Sequence, residues 1–211
     1  MTCIVLEEIV MSKKVLGNKG KGLLFVISAP AGTGKSTLVE MILGEFPNEV
    51  AESCSCTTRA PRTGEIAKRH YHFVSQEEFQ EYLTADAFLE HAVVFGHQYG
   101  TLKEEVESLQ KQGKHVVLVI DTQGAMQIQG KVPAVFIFIS PPSKEELKSR
   151  LLKRSTEDAL KIEERLNWAE NELALADRYD YHIVNDRLDV TYQILRSIFI
   201  AEEHNSRLGS K

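Results

Sequence analysis

The chain has 211 residues, 43% hydrophobic and 26% charged, which is enough apolar material for one α/β domain with a substantial core. With 30 acidic against 25 basic side chains the net charge is −5; that balance argues against a broad nucleic-acid-binding face and leaves room for a local basic pocket that takes a phosphate. Three cysteines, Cys3, Cys54 and Cys56, are odd in number and fit no disulfide framework, so a reducing, cytoplasmic setting is expected.

Residues 1–21 read as an N-terminal extension. The apolar run in MTCIVLEEIVMSKK is broken by Glu7 and Glu8 and no basic residue precedes it, so it does not read as a signal peptide; Met11 offers an alternative start. No stretch is long and apolar enough to span a bilayer. Residues 23–28 (LLFVIS) form an unbroken apolar run, as expected of a strand buried on both faces. A Gly-rich loop follows, and helical spacing runs from Leu38 to Glu45. Cys54 and Cys56 lie two apart in an expected strand and would share one face; two thiols alone make no zinc site. Residues 115–121 (HVVLVID), 134–139 (AVFIFI) and 182–186 (HIVND) are three more strand candidates, with helical patterns between them. The core therefore reads as a parallel sheet flanked by helices.

Helix starts are marked by Ser75 with Glu78, Thr101 with Glu104 and Ser143 with Glu146, each a capping-box pattern. Gly113 fits a C-cap, and an amphipathic final helix is expected over 188–207. Two segments depart from the alternation, about 54–101 and about 150–166. Both read as excursions from a core domain spanning 22–207.

The loop after the first strand carries the main chemical signal. Ala29, Pro30, Ala31, Gly32, Thr33, Gly34, Lys35, Ser36 and Thr37 match a phosphate-binding loop, with Ala29 where the usual pattern has its first glycine. Gly32 and Gly34 let backbone N–H groups converge on an anion, and the following helix adds its N-terminal dipole. Lys35 would neutralise β- and γ-phosphate charge, and the Ser36 hydroxyl can ligate Mg²⁺. Such a loop implies a nucleoside triphosphate without fixing the acceptor. Arg59 and Arg62, three apart around Pro61, suit a phosphate dianion.

With the loop, the segment TTRAPRTGE (57–65) resembles the guanylate kinase signature, and the order of motifs continues to match from about Gly22 to His204. The resemblance implies a kinase core with a GMP-binding insertion and a small lid, transferring the γ-phosphate of ATP to GMP with Mg²⁺. It implies that Arg59 and Arg62 grip the GMP phosphate, with hydrogen bonds from Tyr71 and Tyr99. Glu90 would accept the guanine N1–H and amino protons, Ser55 and Thr101 would meet the base, and Asp121 would sit between base and metal. Arg150, Arg154 and Arg165 resemble lid arginines, and Asn185 the residue that contacts adenine. The expected partners are ATP and GMP, with neither nucleic acid nor membrane, as a monomer or homodimer. Two residues depart from the family pattern: Ser155 stands where a glycine is common, and Val119 where an acidic residue is usual. A kinase for another phosphorylated acceptor and a non-catalytic interaction domain are the rival readings.

Overall fold

The apolar runs become the centre of a five-stranded parallel sheet. A computed structural model describes residues 14–62, 64–67, 69–154 and 159–205, and only the backbone of 154 and 159–161. In chain order the elements are β1 (Leu24–Ser28), α1 (Lys35–Glu45), β2 (Val50–Glu52), β3 (Cys56–Thr57), β4 (His72–Phe73), α2 (Gln76–Thr84), β5 (Phe88–Val94), β6 (His97–Leu102) and α3 (Lys103–Lys111). They continue with β7 (His115–Val119), α4 (Thr122–Ile128), β8 (Val135–Ser140), α5 (Lys144–Arg154), α6 (Ala159–Leu173), a 3₁₀ turn (Ala176–Arg178), β9 (Tyr181–Val184) and α7 (Leu188–Glu203).

The main sheet has the order β2-β7-β1-β8-β9, all parallel. Alternation along β1 explains its unbroken run. Phe25 and Ile27 point into a core shared with Leu38 and Ile42 of α1 and Leu195 and Phe199 of α7. Leu24 and Val26 point the other way, into a core with Val106 of α3 and Ala125 and Ile128 of α4. A strand covered on both faces needs apolar residues at every position. The first core also takes in Leu16, from the segment read as an extension.

A buried polar knot ties that segment down. His115 Nδ1 accepts from the Leu23 N–H at 3.0 Å, so Nε2 carries the proton and faces Glu203 Oε2 at 2.7 Å. Glu203 Oε1 accepts from the Asn18 N–H at 2.7 Å. Burial lowers the pKa of His115 despite the neighbouring carboxylate, so the imidazole is neutral.

A second sheet, β4-β3-β6-β5, stands on residues 56–102. Its core of Cys56, Phe79 and Phe88 packs on α2. Ser75 and Glu78 cap α2 reciprocally, as the sequence pattern predicts. Ser143 Oγ accepts from the Glu146 N–H at 3.1 Å, and Gly113 follows α3 with φ +79. Three expectations are corrected. Thr101 does not cap α3: Leu102 holds that position without a side-chain bond, and the Thr101 hydroxyl turns to Glu90 instead. Cys54 lies ahead of β3, where the Glu105 carboxylate takes its N–H at 2.6 Å, so the two thiols share no strand. The last helix stops at Glu203.

Candidate active site

The loop between β1 and α1 has the geometry its glycines predict. Gly32 and Gly34 have φ of +88 and +91, values that a side chain would strain. Ala29 is buried and outside the left-handed region, so that position tolerates a methyl group. The Lys35 ammonium reaches back to the Ala29 carbonyl at 3.5 Å. Asn185 braces the loop: its side-chain nitrogen donates to the Thr33 carbonyl at 2.6 Å and lies where a Cβ on Gly34 would stand. That bond uses one of the amide's two N–H groups, so the contact expected with adenine does not require it to break. Ser36 is exposed at the head of α1 and Thr37 is half-buried behind it.

A cavity of about 260 Å³ opens between this loop and the second sheet. From the loop side come Ala29, Ala31 and Lys35. Ser55, Arg62, Tyr71, Glu90 and Tyr99 face it from the second sheet and its connections, Asp121 from the end of β7 and Arg165 from α6. Residues far apart in sequence and expected to bind different parts of two nucleotides thus meet in one pocket.

Several expected residues stand behind it. Arg59 is buried, and its guanidinium is largely engaged. Nε donates to Tyr99 Oη at 3.1 Å, and the terminal nitrogens fork onto Glu65 at 2.9 and 3.0 Å, one of them also meeting the Ala60 carbonyl. Its five N–H groups are thereby reduced to one. The Tyr71 ring lies 5.5 Å from its charge centre. Thr101 is fully buried and donates to Glu90 Oε1 at 2.6 Å. Arg150, on α5, donates to Glu146 at 2.8 Å and to the Asn185 carbonyl at 3.1 Å, away from the pocket. The side chain of Arg154 and all of Ser155 lie outside the described residues.

Charges in the pocket perturb one another. Burial pushes the Glu90 carboxyl up to about 7, partly opposed by the Thr101 hydrogen bond. Burial also lowers the pKa of Lys35, against the attraction of Glu172, then Asp121, then Glu52. Asp121 caps α4, accepting from the Gly124 N–H at 2.9 Å. Val119 both packs against the core and lines the pocket. Negative charge near Lys35 therefore comes from several elements and does not rest on β7 alone.

Sequence reasoning missed Glu65, Glu172 and the Phe95–Trp168 wall. Glu65 sits inside the TTRAPRTGE signal, and its spacing from Arg59 could have marked it as that arginine's partner. Trp168 and Glu172 lie on α6, three and seven residues after Arg165 in a charged helix, where nothing local shows which face turns inward. Glu172 is only 5% exposed, and burial raises its carboxyl to about 7. Phe95 adopts φ +48 at the tip of the β5–β6 hairpin and packs on Trp168, ring centres 5.5 Å apart.

The comparisons with known proteins agree with this architecture. The family model described as guanylate kinase matches residues 21–202. A guanylate kinase of Protochlamydia amoebophila is 53% identical over 191 residues, 90% of this chain and 96% of the relative. A guanylate kinase of Chlamydia pneumoniae is 52% identical over 185 residues, 88% and 90% of the two chains. The crystal structure of guanylate kinase from Anaplasma phagocytophilum superimposes with a TM-score of 0.72 at 34% identity, covering 92% of this chain and 91% of that one.

Proposed function

This chain belongs to the guanylate kinase family and moves the γ-phosphate of ATP onto GMP, and from that premise we propose how its own residues do so. One observation carries the reading: the phosphate-loop lysine and the buried Glu90 open into the same cavity.

ATP lies with its phosphates along residues 29–37, where backbone N–H groups, the α1 dipole and Lys35 take the negative charge. GMP enters from the second sheet. Glu90 accepts the guanine N1–H and amino N–H, with Ser55 and Asp121 beside the base. Arg62, Tyr71 and Tyr99 take the phosphate, along with the remaining N–H of Arg59. Glu65 and Tyr99 fix the plane of the Arg59 guanidinium, and Thr101 fixes Glu90.

A phosphate oxygen of GMP attacks the γ-phosphorus, the bond to the β–γ bridging oxygen breaks, and ADP leaves. The attacking oxygen is already anionic at neutral pH, so positioning and charge neutralisation dominate and no strong base is needed. The exposed Ser36 hydroxyl would hold Mg²⁺, an ion that takes one or two protein oxygens together with phosphates and water, and the Asp121 carboxylate, which lines the cavity, would stand between base and metal. Mg²⁺ held there would supply positive charge against the phosphates as the phosphoryl group transfers.

We take 54–101 as the GMP-binding region and 150–166 as the lid. Arg165 already lines the pocket, whereas Arg150 must leave Glu146 and the Asn185 carbonyl to reach the phosphoryl group. Closure on both substrates brings the arginines together and excludes water. A cytoplasmic setting is supported by the free thiols of Cys54 and Cys56. A coupled assay with ATP and each of GMP, dGMP, AMP and UMP tests the proposal. Turnover with GMP and little with AMP or UMP is expected; equal turnover with AMP would refute the role of Glu90.

A further inference from the structure

Glu90 is confined from more than one side. Thr101 holds one oxygen, as above. The strand carrying Glu90 is the edge of the second sheet, and α4 takes up its outward backbone groups. Gln127 Oε1 accepts from the His91 N–H at 3.2 Å, and Gln127 Nε2 donates to the His91 carbonyl at 2.6 Å. One turn earlier, Gln123 Nε2 donates to the Val93 carbonyl at 3.4 Å. These bonds hold α4 against β5 and set the distance between the two backbones.

Gly124 stands in α4 on the side that faces the Glu90 carboxylate. A Cβ at this position would lie 2.3 Å from Glu90 Oε2 and 3.0 Å from its Cδ. The Gly124 backbone is helical and outside the left-handed region, so its conformation does not call for glycine. Alanine would favour the helix by about 1 kcal/mol. Glycine therefore carries a local cost, and what offsets it is the room left for one carboxylate oxygen. The atom that would have to give way is the far end of a flexible side chain, so a methyl group here would displace Glu90 more readily than it would unfold α4.

We infer that Gly124 is a specificity-determining positioning residue: its bare Cα sets the Glu90 carboxylate at the depth and angle that accept the two adjacent donors of guanine. The inference rests on the reading of Glu90 as the guanine receptor. It adds that discrimination for guanine depends on α4, an element of the core, as much as on the strand that carries the acid.

The test is calorimetric titration of the full chain with GMP and, separately, with a non-hydrolysable ATP analogue. It uses wild type, Gly124→Ala, Glu90→Gln and the double variant, with melting temperatures measured alongside. Gly124→Ala should weaken GMP about tenfold or more and leave the ATP analogue within about twofold. Because both residues act through one carboxylate, the double variant should be no weaker for GMP than Glu90→Gln by more than about twofold. Unchanged GMP affinity in Gly124→Ala beside a weakened Glu90→Gln would overturn the inference, as would additive losses in the double variant. Unchanged affinity in Glu90→Gln would overturn the guanine-receptor reading itself, and this inference with it. Should Gly124→Ala lower the melting temperature, adding Glu90→Ala must restore it, since the crowding is with that side chain; no restoration would also overturn the inference.

Discussion

Glu203 and Glu90 are buried to the same degree, each 4% exposed, yet they do opposite things. Glu203 has the Asn18 N–H on one oxygen and His115 beside the other, inside a knot that joins α7, β7 and the first described residues. Glu90 has the Thr101 hydroxyl on one oxygen, while its side chain opens into the cavity. Burial alone does not mark a functional acid. What marks it is acceptor capacity that the protein leaves unmet toward a space a ligand can enter. Glu172 belongs with Glu90 by this measure, since it lines the same cavity and faces the Lys35 charge.

The comparison can be broken from the structural side first. His115→Ala removes the group facing Glu203 and the acceptor of the Leu23 N–H. Leaving the Leu23 N–H without its acceptor costs about 1–3 kcal/mol, and the space vacated by the ring adds to it. Urea denaturation should show that loss, and whatever fraction stays folded should bind GMP with wild-type affinity. A stability change under about 1 kcal/mol would show that the knot holds little.

On the functional side the ordering reverses, with activity lost and stability kept. Lys35→Ala should reduce turnover about 10²–10³-fold, as expected on removing one preorganised charge from the transition state, with an unchanged melting temperature. Turnover within a factor of two of wild type would separate this lysine from the chemistry.

The raised pKa of Glu90 gives two effects of opposite sign. Its burial cost is absent below the ordinary carboxyl value of 4.5 and is fully felt as pH rises through about 7. Acidification over that window should therefore stabilise the empty protein at this residue. GMP binding needs the ionised carboxylate, so its Kd should rise toward tenfold per pH unit below about 7. The GMP phosphate also titrates, near pH 6. Glu90→Gln removes the component due to Glu90 and leaves that of the phosphate; identical pH profiles for the two proteins would contradict the assignment.

The smallest effect expected is local. Ser75→Ala removes the side-chain half of the α2 cap, at about 1 kcal/mol. Thermal melts should show it, while the Kd for the ATP analogue stays put because α2 lies beneath the second sheet, away from the phosphate loop.

The sequence was most legible where one local rule decided the outcome. Strands β1, β7 and β8 are covered on both faces and so read as apolar runs, and the phosphate loop announces itself through two glycines at positive φ just ahead of a lysine and a helix. The second sheet was harder. β3 and β4 are two residues each, and the β5–β6 hairpin turns through Phe95 and Gly96 without the Asn-Gly or Asp-Gly signal such a turn favours. Thr101 misled because its spacing to Glu104 fits a cap. A buried carboxylate directly opposite on the neighbouring strand competes for the same hydroxyl and wins, since a hydrogen bond to a charged or desolvated acceptor outweighs one to an exposed helix end. Glu172 and Gly124 were illegible for a related reason. Their importance comes from what faces them across the fold, which no spacing along α6 or α4 encodes.

The most direct measurement is a calorimetric comparison of GMP and an ATP analogue binding to wild type and Glu90→Gln. The substitution keeps the shape, removes the charge and turns an acceptor into a donor facing guanine's donors. GMP should weaken by about 1.5–3 kcal/mol with the ATP analogue unchanged; equal losses for both nucleotides, or none for GMP, would contradict the account.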